Sequence, residues 1–244
     1  MHTTAINWGC GLIATAPVFA AHTVFTKEIR YILLSWFCSF VSTVLLVICS
    51  LSSLFTKDPY FILLFSIPFD VLGKVLLKFF ACKFEFLKSP RARISLGLSC
   101  GNGFALAHVL TLYLPIVFDQ PYSVDFTSDH PDYFPNCLDL ALLNHGMSVA
   151  HMAFGLILFR FAKMNEFVMF CILFTLQYGM AALTRIPYLW VKNLVLFIIA
   201  YGLLIFGLIS FRSMDYTPIK NNIPSDEDEE EEESEPKKRI DYSD

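Results

Sequence analysis

Apolar residues gather along this chain into seven long blocks, and charged residues fall mostly between them. A helix of about 20 apolar residues crosses the hydrocarbon core of a bilayer. The blocks Thr4–Phe25, Tyr31–Phe55, Pro59–Phe80, Ile94–Phe118, Leu138–Ala162, Glu166–Thr184 and Pro187–Phe211 are all near or above that length. Tyr or Trp stands near several block ends (Trp8, Tyr31, Tyr60, Tyr188, Trp190), where amphipathic rings anchor a span at the interface. Pro68 is placed to kink the third block. The pattern predicts an all-α polytopic membrane protein with a seven-helix transmembrane domain over residues 1–212.

Polar and small residues inside the blocks follow helical spacing. In the fourth block Gly97, Gly101 and Ala105 recur every four residues, and His108 returns to the same face eleven residues after Gly97. The fifth block carries Ala141, Asn144, Ser148, His151 and Gly155, and the sixth Gln177, Ala181 and Thr184. Small residues let helix backbones approach closely, and polar groups hydrogen-bond across the gap. At ~1.5 Å per residue from the ends nearest the basic loops, His108 lies ~21 Å deep and His151 and Gln177 ~16 Å deep. A buried cluster of His108, His151 and Gln177 near the bilayer midplane is expected to join helices 4, 5 and 6. The plainer account has each histidine meeting only a local backbone group. In the third block Asp70 and Lys74 are spaced i, i+4, which suits an intrahelical ion pair.

Composition agrees with a membrane chain. Of 244 residues, 55% are hydrophobic and 16% charged, and the mean hydropathy is +0.55. So much apolar surface does not fit in a water-soluble core. The net charge of −4 conceals a division: residues 213–244 hold 12 of the 22 acidic and 4 of the 18 basic residues, a net of −8, so the body carries +4. Asp226–Glu233 is an unbroken acidic run followed by Lys237, Lys238 and Arg239, and such a run repels itself and stays solvated. Residues 213–244 are therefore expected to be a disordered acidic tail; Ser225 and Ser234 flank its acids and suit phosphorylation.

Basic residues set the orientation. Lys27 and Arg30, then Lys83, Lys88, Arg91 and Arg93, then Arg160 and Lys163, and finally Arg212 all fall on one side. The other side has Lys57, Arg185 and Lys192, and its Asp119–Cys137 loop has no basic residue. This bias places the N-terminus outside or in the lumen and the C-terminus in the cytosol. Residues 1–21 are not expected to be a cleaved signal, since cleavage at "VFAAH" would require lumenal Lys27 and Arg30. The seven cysteines form no C-x-x-C pair; six sit in or beside apolar blocks, Cys137 is alone in its loop, and no disulfide is expected.

"GLSCGNGFALAH" (residues 97–108) superficially suggests a serine hydrolase elbow around Ser99. Ser99 and His108, nine residues apart, fall on opposite helix faces about 13 Å apart along the axis. Ser99 is also about 8 Å shallower than His151, the other candidate base. Only Asp70 lies well inside a span, so no facing aspartate pair is available, and H-E-x-x-H is absent. No Glu, Asp or Cys accompanies the histidines at ligand spacing along the chain, so no metal is expected; nor is any cofactor, catalytic residue or nucleic-acid partner. Receptor signatures (D-R-Y, N-P-x-x-Y) are missing as well.

Several stretches resemble the anterior-pharynx-defective (Aph) family, the seven-helix subunit of gamma-secretase. "WGCGLIATAPVFA" resembles the family's opening pattern at Gly9, Cys10, Pro17, Phe19 and Ala20. "GLSCG" resembles its G-L-S-F-G, with Gly97 and Gly101 as the first two packing glycines and Ala105 at the third small position. "DYFPNCLDLALLNHGMSVAHMAFG" resembles the approach to helix 5 and sets His151 on the family's histidine there. "LFTLQYGMAALTRIP" resembles helix 6, with Gln177 in place of a second family histidine. The similarity is collinear from about residue 5 to 212; the short loop between helices 3 and 4 and the acidic tail depart from it. It implies a non-catalytic scaffold that associates with nicastrin, presenilin and the presenilin enhancer subunit in the endoplasmic reticulum and Golgi, and onward to the plasma membrane or endosomes. The alternative is a polytopic protein acting alone, such as a rhomboid-like protease or a seven-helix receptor.

Overall fold

The computed structural model describes residues 2–24, 28–50, 59–83, 90–113, 136–184, 186 and 188–212. Among them the chain is all-helical, with seven α-helices: α1 (His2–Val24), α2 (Ile29–Ser50), α3 (Pro59–Lys83), α4 (Pro90–His108), α5 (Asn136–Arg160), α6 (Glu166–Leu183) and α7 (Leu189–Arg212). Five of them contain stretches long and apolar enough to cross a membrane: Ile29–Cys49, Arg91–Thr111, Leu138–Arg160, Glu166–Leu183 and Trp190–Phe211. The chain thus has the build of a helical membrane protein. The acidic tail, most of the Asp119–Cys137 loop and the end of the second apolar block lie outside the described residues.

Helix limits follow the apolar blocks to within a few residues, with two differences. The fourth block does not continue as α-helix: winding changes after His108 to a π-helical segment, Val109–Tyr113, a rare form that concentrates at functional sites. Cys137, expected in a loop, falls in the first turn of α5. Helix α3 runs through Pro68 as one element. Asn165 caps α6, its side-chain oxygen accepting from the Phe167 N–H at 2.9 Å, which meets one of the orphan donors of a helix start.

Helix α5 lies at the centre, packed along α4, α7 and α1, while α2 covers the other side of α4 and α6 leans mainly on α3. The division shows in what reaches the surface. Large exposed apolar side chains belong to the outer helices (Trp8 and Phe19 on α1, Trp36 and Phe40 on α2, Phe167 on α6, Trp190 and Ile198 on α7), and none belongs to α4 or α5. So broad an apolar exterior needs an apolar surrounding, lipid or protein.

Candidate functional site

The α4–α5 contact is backbone against backbone. A Cβ built on Gly101 would stand 2.5 Å from the His151 carbonyl oxygen and 2.6 Å from the Met152 Cα, and one on Gly97 would stand 2.9 Å from the Gly155 carbonyl oxygen. A Cβ on Gly155 would in turn strike the Gly97 carbonyl. Backbone atoms cannot swing aside as a side chain can, so only glycine fits at these three positions. Numbers rise along α4 as they fall along α5, so the helices are antiparallel. Ala105 is fully buried but serves another contact: it packs with Cys10, Ala14, Val18, Val109 and Ala141, where α1 closes over α4 and α5.

The sequence reading overlooked a second close contact on the opposite side of α4. A Cβ on Gly103 would strike the Ser35 carbonyl and lie 2.5 Å from the Cys38 Cβ. Helix α2 presents buried Ser35, Cys38, Ser39 and Ser42 there, and Asn102 donates to Ser35 Oγ at 3.4 Å. The i, i+3, i+4, i+7 spacing of small α2 residues was the available signal.

The polar residues form one group drawn from α3, α4, α5 and α6. On α3 the Lys74 ammonium donates to Asp70 Oδ2 and lies 4.2 Å from the Phe104 ring centroid. Gln177 Nε2 donates to the same carboxylate oxygen at 2.6 Å. Gln177 thus joins the group through Asp70, a residue outside the expected His108–His151–Gln177 cluster. The His108 and His151 rings stack with centroids 4.4 Å apart and planes 27° from parallel. His108 Nε2 is 3.9 Å from Asp70 Oδ1, beyond hydrogen-bond range. Gly101 stands opposite His151, so His108, seven residues further along α4, is offset from it by ~10 Å along the helix axis. Helical side chains lean toward their own N-terminus, and because α4 and α5 are antiparallel, the two rings lean toward each other and close that gap.

Much of this group has no hydrogen-bond partner among the described residues: Asp70 Oδ1, His108 Nε2, both ring nitrogens of His151 and Gln177 Oε1. Buried polar atoms are nearly always paired, and His151 is fully buried. Ligand atoms of Asp70, His108 and His151 all lie within 4.8 Å of one another. The lack of a nearby carboxylate, argued from spacing along the chain, does not hold in space, because Asp70 arrives from a different helix, α3. Counting residues would have flagged it: Asp70 is ten residues from Phe80, or ~15 Å deep, level with His151 and Gln177.

Four further sets of polar contacts tie the helices together, three near their ends and one, at His145, in mid-helix. Fully buried Lys78 reaches α6, donating to Glu166 Oε2 at 2.9 Å and the Met164 carbonyl at 3.2 Å. Arg160 Nε donates to the Ser210 carbonyl at 2.7 Å. Asp139 accepts from Lys192 and Asn193, each at 2.7 Å. His145 Nδ1 bonds the Ile13 carbonyl at 2.9 Å, a pure acceptor, so in the neutral ring Nε2 accepts from the Tyr201 hydroxyl at 2.8 Å. Other polar residues of the fifth block do not reach across: Asn144 donates to its own Leu140 carbonyl at 2.9 Å. Ser99 Oγ is buried without a hydrogen-bond partner among the described residues.

Compared with protein-family models and with curated proteins, the chain matches none. Fold and site define a class: an apolar helical bundle with a glycine-built central seam and a buried polar layer beside it.

Proposed function

We propose that this chain is a seven-span, non-catalytic scaffold subunit of a gamma-secretase-like intramembrane aspartyl protease complex. It binds presenilin, nicastrin and the presenilin enhancer subunit, and cleavage is carried out by presenilin's aspartates. The observation that supports this reading best is the α4–α5 seam: Gly97 and Gly101, the glycines that carry the Aph resemblance, face the backbone of α5 at distances that exclude any side chain. A seam so placed fixes the bundle's core and leaves the outer helices to present their apolar faces to other membrane segments. The N-terminus lies in the lumen or outside and the C-terminus in the cytosol of endoplasmic reticulum and Golgi membranes.

Purification of tagged chain in mild detergent tests the assignment. Co-elution with an aspartyl protease subunit is expected, and a monodisperse monomer would overturn it in favour of a protein acting alone. Ser99→Ala is expected to leave proteolysis by that complex intact. Lost cleavage with assembly unchanged would bring back the hydrolase reading.

A further inference from the structure

We propose that Asp70, His108 and His151 form a binding site for one borderline transition-metal ion of the Zn2+ class, between α3, α4 and α5 at mid-depth in the bundle. The site stands on these side chains and is independent of the scaffold reading. Their ligand atoms lie within 4.8 Å of one another, and Asp70 Oδ1 and His108 Nε2 are 3.9 Å apart. Around a tetrahedral ion with bonds of about 2.0–2.2 Å, ligand atoms sit about 3.4 Å from one another, so Asp70 and His108 close by roughly 0.5 Å on binding and the widest pair by up to about 1.4 Å. Two rings 27° from parallel cannot both aim a lone pair at one nearby point, so one imidazole turns about its Cβ–Cγ bond as the ion enters.

Three further observations favour an ion. First, Asp70 Oδ1, His108 Nε2 and both His151 nitrogens are unpartnered among the described residues, at a depth where an unmet polar atom is costly. Second, Asp70 is oriented as a ligand is: Lys74 and Gln177 both occupy Oδ2, which turns Oδ1 toward the imidazoles in the manner of an outer shell holding a ligating carboxylate. Third, the π-helical segment begins at Val109, directly after His108, and such segments cluster at functional sites.

The donors also select the ion. Lys74 already neutralises the single carboxylate, so the set carries no net charge, like the tris-imidazole sites that hold zinc. Mg2+ and Ca2+ require several hard oxygen ligands and find one. Two imidazoles and one carboxylate suit Zn2+ or its spectroscopic substitute Co2+.

The test uses the full-length chain in detergent with whatever subunits accompany it, stripped with chelator, equilibrated with Zn2+ or Co2+ and desalted. About one ion per chain is expected by elemental analysis, with the visible ligand-field bands of four-coordinate cobalt. Both are expected to fall to background in Asp70→Asn, His108→Gln and His151→Leu and to persist in His22→Gln, which changes a histidine outside the cluster. Should a variant not fold, stripped wild-type chain suffices: Zn2+ is expected to raise its melting temperature and Mg2+ to leave it unchanged. Substoichiometric Zn2+ with no cobalt bands, equal binding in His151→Leu, or the same melting shift with both ions would overturn the site.

Discussion

The two faces of α5 meet their neighbours on opposite terms. Against the Gly97–Gly101 stretch of α4, Gly97, Gly101 and Gly155 give backbone contact with no room for side chains, and only further along, at His108, does α4 join the polar layer. Toward α3 and α6, the polar layer crowds a carboxylate, an ammonium, an amide and two imidazoles together and leaves five of their atoms without partners. Dispersion and close approach are the main forces of helix association in lipid, with side-chain hydrogen bonds adding on average about 0.6 kcal/mol and at most 1–2 kcal/mol. The seam is therefore the structural element, and the layer is retained for what it can bind.

The sharpest way to break the comparison is to unbalance the layer. Lys74→Met removes one member of a buried ion pair and leaves Asp70 charged and uncompensated, an error that costs about 3–5 kcal/mol. A large drop in melting temperature is expected, and adding Asp70→Asn should recover most of it. Equal melting of the single and double variants would mean that the pair is not coupled. Next in size is the seam. Gly101→Leu forces the helices apart at a cost of about 1–3 kcal/mol or more and should abolish co-purification of partners, as should Gly97→Leu. Gly179→Leu and Gly202→Leu, where a Cβ would meet nothing within 4 Å, should retain them. Loss in all four would show that any bulk in these helices is harmful and that the seam is not special.

The smallest effect carries the most information. His151→Leu replaces two unpaired buried nitrogens by apolar atoms, which relieves a desolvation penalty of about 1–3 kcal/mol and forfeits a ring stack worth about 0.5–1.5 kcal/mol. Metal-free protein is thus expected to melt at the same temperature or slightly higher, although the variant loses the metal. A marked fall in melting temperature would make the layer structural after all.

Helix number and rough limits were legible because each apolar block is long and bounded by charge, and the seam was legible because glycines at 97, 101 and 155 keep helical spacing. Contacts between non-sequential helices were not. Gln177 pairs with Asp70 across 107 residues, and Lys78 with Glu166 across 88; the periodicity of one helix says nothing about which distant helix lies opposite. Ala105 misled in a different way. It continues the spacing of the glycines, yet by that turn α1 has come into contact and takes the position. The change of winding at Val109 has no marker in "VLTLY".

His151 belongs to both faces at once. Its carbonyl is the surface against which Gly101 rests at 2.5 Å from a notional methyl, and its imidazole stands in the polar layer. A methyl at position 101 would strike the His151 carbonyl and the Met152 Cα and so shift the backbone that carries the ligating ring. The glycine acts as a gauge block, setting the position of a ring it never touches, and Gly101→Ala should displace that ring as it parts the two helices.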